Sequence, residues 1–257
     1  MTDSTQNPAV RLDVDGAVTR ITLDRPERHN ALRAVEVAAL RAMLDGVEAD
    51  TRTRVLVLTG AGESTFCSGA SLAQMRTGEM SGAIFDTLTD RLARLRVPTI
   101  CRLNGSVYGG GAELALCCDF RVGGPGVRLS VPAARLGVCY PLGGLTRYVS
   151  RLGLGPAMRL LLAAEELDAE ALLRIGFLTH RAEAGAIDTA TDELSGHLAS
   201  LAPLAVQTMK RTLVDIASGS VDREEISRMI ARCNESKDFV EGLAAWSEGR
   251  DPDFRGT

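Results

Sequence analysis

Asn104-Gly105-Ser106-Val107-Tyr108-Gly109-Gly110-Gly111-Ala112-Glu113-Leu114 is the stretch on which the reading of this chain turns. Thr99-Ile100-Cys101-Arg102-Leu103 just before it reads as a buried strand, and residues 112–118 read as the start of a helix. Three consecutive glycines therefore stand in a turn that opens a helix. Glycine there costs backbone entropy, so something must require close approach to the main chain. The spacing matches neither the G-x-G-x-x-G dinucleotide fingerprint nor a phosphate loop with its Gly-Lys-Ser/Thr. Glu113 falls on the first helical turn, near unpaired amides, where by itself it is an ordinary N-terminal carboxylate.

The same unit occurs upstream. Val55-Leu56-Val57-Leu58-Thr59 is a continuous apolar run, the mark of a strand covered on both faces, and it ends at Gly60-Ala61-Gly62. Then Ser64-Thr65-Phe66-Cys67-Ser68-Gly69-Ala70-Ser71-Leu72 reads as a loop of small residues leading to a helix. Small side chains admit a ligand to the backbone, and free N–H groups at a helix start bind developing negative charge. Further back, Val10 to Val14 and Val18 to Leu23 flank Asp15-Gly16 as a hairpin, and residues 30–47 repeat apolar positions at helical spacing with Asn30 as N-cap. Downstream, Phe120-Arg121-Val122 and Arg128-Leu129-Ser130-Val131 read as strands, followed by a loop segment, Val131-Pro132-Ala133-Ala134-Arg135-Leu136-Gly137-Val138-Cys139-Tyr140-Pro141-Leu142-Gly143-Gly144. After Gly143 the pattern is almost wholly helical, with segments over 156–164, 168–175 and 184–201. Ala202-Pro203 opens another, and the acidic turn at Asp222 a further one. Repeated strand-strand-helix blocks point to an α/β core with stacked sheets. The expected organisation is a core over residues 1–195 and a C-terminal helical region over 196–257.

Composition narrows the function classes. The chain has 257 residues, 45% hydrophobic and 24% charged, which suits an ordinary globular protein and excludes a wholly disordered one. Its 29 Lys+Arg against 33 Asp+Glu leave a net charge of -4, so no global basic field favours nucleic acid or anionic lipid. The opening residues 1–11 are polar and lack the pattern of a signal peptide. Six cysteines without a C-x-x-C pair fit reduced thiols in a cytoplasmic protein, and Cys67, Cys117, Cys118 and Cys139 read as small buried hydrophobes. His29, His180 and His197 lie too far apart in sequence for an evident metal centre, so metal-independent chemistry is expected.

Taken in order, these segments resemble the crotonase (enoyl-CoA hydratase/isomerase) superfamily over nearly the whole chain. Arg25-Pro26 with Asn30-Ala31-Leu32 is similar to the family's early turn that contacts coenzyme A, and Arg28 beside it is a candidate for the same contact. The loop from Phe66 to Leu72 is similar to the one whose amide, here Ala70, supplies half of an oxyanion hole; Gly110 in Gly109-Gly110-Gly111-Ala112-Glu113 matches the other half. Asp238-Phe239-Val240-Glu241-Gly242 and Pro252-Asp253-Phe254 are similar to the family's C-terminal ending. The resemblance implies a crotonase/ClpP-like spiral of ββα turns with a helical trimerisation region, a homotrimer or homohexamer, and an acyl-CoA substrate. Coenzyme A would then enter as part of that substrate, with no separate cofactor and no nucleic-acid or membrane partner. Candidate catalytic residues are Glu113, Ala70, Gly110 and Tyr140; candidates for CoA or acyl binding are Arg28, Ala31, Ser68, Gly69, Ser71, Leu72, Gly109, Pro132 and Ala133. Met75, Met80, Phe85 and Leu142 are expected in the pocket walls, and Trp246 with Phe239 and Leu243 in packing of the tail.

The chain departs from the family pattern at one chemically important place. A hydratase of this family uses two glutamates; Glu113 matches the first, and Ala133 stands where the second belongs. Ser71 likewise replaces the usual aspartate. The strings Gly105-Ser106-Val107-Tyr108-Gly109-Gly110 and Leu136-Gly137-Val138-Cys139-Tyr140 also resemble the methylmalonyl-CoA decarboxylase branch, which lacks the second glutamate and places a tyrosine in the pocket. That branch carries a histidine where Ala70 stands here. The reading therefore leads with enoyl-CoA isomerisation or hydration, with decarboxylation and non-catalytic acyl-CoA binding as alternatives.

Overall fold

The computed structural model describes residues 8–257; of the polar opening stretch, residues 1–7 lie outside them. The hairpin forms as read, with β1 (Val10–Asp15) paired antiparallel to β2 (Val18–Leu23) in the register Val10↔Leu23 to Asp15↔Val18. Gly16, at φ +56°, makes the tight turn between them. Helix α1 (Ala34–Ala49) follows. It begins later than Asn30, because Arg33 occupies the cap position and its backbone N–H donates to Glu36 Oε2 at 2.8 Å.

Three ββα turns then build two sheets. The first comprises β3 (Val55–Gly60), β4 (Thr65–Cys67), α2 (Leu72–Thr77) and α3 (Gly82–Ala93). The second is β5 (Thr99–Leu103), β6 (Ser106–Tyr108) and α4 (Gly110–Cys117). The third has β7 (Phe120–Gly123) and β8 (Arg128–Ser130), followed by α5 (Leu142–Leu152), α6 (Leu154–Leu161), β9 (Leu167–Asp168), α7 (Ala169–Arg174) and β10 (His180–Arg181). The first strand of each turn joins a six-stranded sheet in the order β1-β2-β3-β5-β7-β10, and the second joins a four-stranded sheet in the order β4-β6-β8-β9. Both β4 and β6 lie inside stretches that read as loop and turn. At three residues each they are too short to show a period, and they become strands by pairing in parallel with one another and with β8.

The apolar run of β3 explains the layering. Val55 and Val57 pack with Ile100, Val122 and Leu198 in one cluster, while Leu56 and Leu58 face the main core with Leu88, Val107 and Leu114. The strand is thus buried on both faces, each side chain contributing about 2 kcal/mol of apolar transfer. The outer cover is α8 (Ile187–Ser200), which packs against β2, β3, β5 and β7; residue 195 lies within this helix. Beyond it run α9 (Pro203–Ser218), α10 (Arg223–Asn234) and α11 (Lys237–Glu248). Trp246, expected to pack in the tail, is instead 89% exposed on α11, and Phe239 and Leu243 are exposed with it. Among the described residues, no helix is long and apolar enough to cross a membrane.

Candidate active site

Two asparagines fix the loops that build the site. Asn30 sits in the left-handed region at φ +51°, which asparagine tolerates. Its side chain is buried: Oδ1 accepts from the Arg25 backbone N–H at 2.9 Å, and Nδ2 donates to the carbonyls of Ala61 and Thr65 at 3.0 and 2.8 Å. Asn104 takes the matching role from the next turn, accepting from Gly60 N–H at 3.0 Å and donating to Gly62 O at 2.8 Å. Asn30 is therefore a loop clamp, not a helix cap.

The loop after β4 is zipped onto the segment after β2. Ser68 N–H donates to His29 O, Leu32 N–H to Gly69 O and Ser71 N–H to Leu32 O. This parallel bridge leaves the Ala70 amide facing away from Leu32. Against the same loop lies the start of α4. A Cβ built on Gly69 (φ +88°) would stand 2.4 Å from Gly110 N, and one on Gly111 would stand 2.1 Å from Cys67 O. The glycine run is thus explained by backbone pressed against backbone. Among the described residues, neither Ala70 N–H nor Gly110 N–H donates to a backbone carbonyl.

Both residues line one cavity of about 360 Å³, whose walls also include Ser68, Leu72, Met75, Phe85, Tyr108, Gly109, Glu113, Pro132, Ala133, Leu136, Val138 and Tyr140. Of the expected site residues, Glu113, Ala70, Gly110, Tyr140, Ser68, Leu72, Gly109, Pro132 and Ala133 thus converge. Gly69 and Ser71 sit beside the wall as its backbone support, whereas Arg28 is exposed and Ala31 half-buried, both outside the lining. Met75 and Phe85 take their expected places. Met80 is buried elsewhere in the core and Leu142 projects outward, because the first turn of α5 points it away from the cavity. Cys139 is another correction: it is exposed at the cavity rim and not packed in the core.

Glu113 is the one charged side chain among the described lining residues and is 1% exposed. Burial pushes its carboxyl up to about 7, against the opposing pull of Arg147, and Asp86 and Asp90 add to the rise. Arg147, on α5, donates from Nη1 to Glu113 Oε1 at 2.6 Å and from Nη2 to Asp90 on α3. A Cβ on Gly144 would lie 3.0 Å from Glu113 Oε2. Tyr140 stacks edge-on to Tyr148 with ring centroids 5.8 Å apart, and burial first, then the Glu113 charge, push its hydroxyl well above the usual range. Tyr140 therefore keeps its hydroxyl proton at neutral pH. Sequence reasoning missed Arg147, Asp86 and Asp90; the one local signal was that Asp86 and Asp90 stand four apart on a largely apolar helix.

Such a site holds a buried carboxyl poised near neutrality in a cavity lined by two residues whose amides donate to no backbone carbonyl. Residues 13–257 match the enoyl-CoA hydratase/isomerase family. The short-chain-enoyl-CoA hydratase of Clostridium acetobutylicum is 29% identical over 248 residues, covering 94% of this chain and 95% of that one. The 2,3-dehydroadipyl-CoA hydratase of Escherichia coli is 30% identical over 247 residues, covering 93% and 95%. Among solved structures, enoyl-CoA hydratase from Bacillus anthracis superposes with a TM-score of 0.86 at 27% identity, covering 97% of this chain and 100% of the other. Pseudomonas aeruginosa DspI superposes at 0.87 with 28% identity, covering 99% of each. The chain belongs to the enoyl-CoA hydratase/isomerase family and has the crotonase fold.

Proposed function

We propose that this protein isomerises an enoyl-CoA thioester by a 1,3-proton shift, with Glu113 as its single acid/base. The observation that carries this reading is the pairing of one carboxyl with an otherwise uncharged wall: Ala133 lines the cavity where a second glutamate would work. Hydration divides its work between two carboxyl groups, one activating water and one serving the α carbon. An allylic shift needs one. The substrates for which these relatives are named support a CoA thioester as the substrate class.

In this scheme the thioester oxygen of a 3-enoyl-CoA accepts from Ala70 N–H and Gly110 N–H. Ionised Glu113 removes a proton from C2; the C–H electron pair moves into a C1–C2 double bond and charge passes to the oxygen. The resulting dienolate is stabilised by the two amides, each worth about 3 kcal/mol. Protonated Glu113 then returns the proton to C4, leaving the double bond between C2 and C3. No water is consumed. A carboxyl near 7 suits both halves, being basic enough to accept and acidic enough to give back.

Tyr140 favours one second reading, decarboxylation of a malonyl-type thioester, in which its hydroxyl orients the carboxylate and loss of carbon dioxide forms the enolate without a base. The test is turnover of 3-enoyl-CoA, crotonyl-CoA and methylmalonyl-CoA by wild type and Glu113→Gln, followed by mass spectrometry. Isomerisation lost in Glu113→Gln supports the proposal. Methylmalonyl-CoA turnover that survives Glu113→Gln but not Tyr140→Phe replaces it with decarboxylation, and tight binding without any turnover replaces it with a binding role.

A further inference from the structure

Arg147 lies outside the cavity wall, yet it touches the one carboxyl among the described residues that line it. Its guanidinium is a fork: Nη1 reaches Glu113 Oε1 at 2.6 Å and Nη2 reaches Asp90. Three helices meet there, since Glu113 is on α4, Asp90 on α3 and Arg147 on α5. Asp90 is largely exposed, whereas Arg147 and Glu113 are largely buried, so the fork runs from surface to interior. With Oε1 engaged, the other oxygen, Oε2, is left on the side of Gly144 and Tyr140, and Tyr140 lines the cavity.

We propose that Arg147 is the positioning residue for Glu113: anchored by Asp90, it holds Oε1 so that Oε2 is the oxygen that exchanges protons with the substrate. This rests on the reading of Glu113 as acid/base. A planar, permanently charged guanidinium fits the task better than an ammonium, because it binds two carboxylates in fixed directions. The titratable and charged groups facing Glu113 are Asp86 and Asp90 from α3, Cys117 on its own helix, Arg147 and Tyr148 from α5, and Tyr140, and the Thr89 hydroxyl of α3 also hydrogen-bonds its side chain. Arg147 is the cation whose field pulls most strongly on that carboxyl, against two aspartates of like charge. A residue that merely ties helices together would affect folding and leave kcat of the folded variants where it is.

The experiment follows the Glu113 carboxyl by infrared difference spectra against Glu113→Gln, which needs no substrate, together with pH profiles of kcat and KM on a 3-enoyl-CoA. Arg147→Gln moves the titration upward from about 7 by roughly 1–3 pH units and lowers kcat about 100-fold, with KM changed far less. Arg147→Lys keeps the charge and loses the fork, so the titration stays near its place while kcat still falls. Asp90→Asn, at an exposed position, removes a like charge and frees Nη2: the titration moves down and the kcat plateau drops. An unmoved titration or an unmoved kcat in folded Arg147→Gln overturns the proposal; should that variant not fold, an unmoved titration or an unmoved kcat plateau in Asp90→Asn overturns it. If no thioester is turned over by wild type, the proposed reaction fails while the infrared result still decides how Arg147 acts on Glu113.

Discussion

A Cβ built on Gly144 would lie 3.0 Å from Glu113 Oε2 and 3.0 Å from Tyr140 Cδ1. The working face of the carboxyl is therefore shaped by a missing side chain on the neighbouring helix. Gly144→Ala forces the carboxyl or the tyrosine ring to move. We expect kcat to fall roughly 3- to 10-fold with a smaller change in KM, and the fold to lose about 1–3 kcal/mol by overpacking. Steady-state kinetics with denaturant unfolding checks both.

Gly69 and Gly110 bring the two candidate oxyanion donors together. Gly69→Ala places a methyl 2.4 Å from Gly110 N at a φ of +88°, so the loop must shift and one donor leaves its place. Removing one such donor costs about 100- to 1000-fold in kcat. Binding of a saturated acyl-CoA, measured by calorimetry, should change far less than turnover.

Glu113 also sets a pH dependence of stability. Its folded value near 7 exceeds the ordinary 4.5, so the folded state holds a proton that the unfolded state releases. The protonated carboxyl stabilises the fold fully below about 4.5, and this is lost as pH rises to about 7, an effect on the order of 3 kcal/mol. Glu113→Gln cannot ionise. Its stability relative to wild type should rise across that window and level off above it, as read by urea unfolding at a series of pH values.

Ala133 lines the same cavity as Glu113 and carries no carboxyl. Ala133→Glu should raise the ratio of hydration to isomerisation measured on the same 2-enoyl and 3-enoyl substrates. An unchanged ratio in a folded variant would show that the single-carboxyl account of this cavity is wrong.

How much of this was legible in the sequence depended on distance along the chain. The hairpin at Asp15-Gly16 and the buried strand Val55 to Thr59 are local patterns, and both form where they were read. Glu113 and its glycine run were visible because their motif is contiguous. Asn30 was misread as a cap because its true acceptors, Ala61 and Thr65, lie 31 and 35 residues away, and no local preference encodes them. Arg147 escaped for the same reason: it meets Glu113 across 34 residues, and its helix looks like any amphipathic surface segment. Leu142 and Trp246 show the converse error, since hydrophobicity alone does not say which way an exposed helix end points.

The most direct test of the central claim follows deuterium from C2 to C4. A 3-enoyl-CoA carrying deuterium at C2 is converted in ordinary water by wild type and by Glu113→Gln, and the product is read by mass spectrometry and NMR. If buried Glu113 carries the proton both ways, wild type delivers a measurable share of the label to C4 and Glu113→Gln is slower by about 100-fold or more. Turnover by Glu113→Gln equal to that of wild type, with all deuterium released to water, contradicts it.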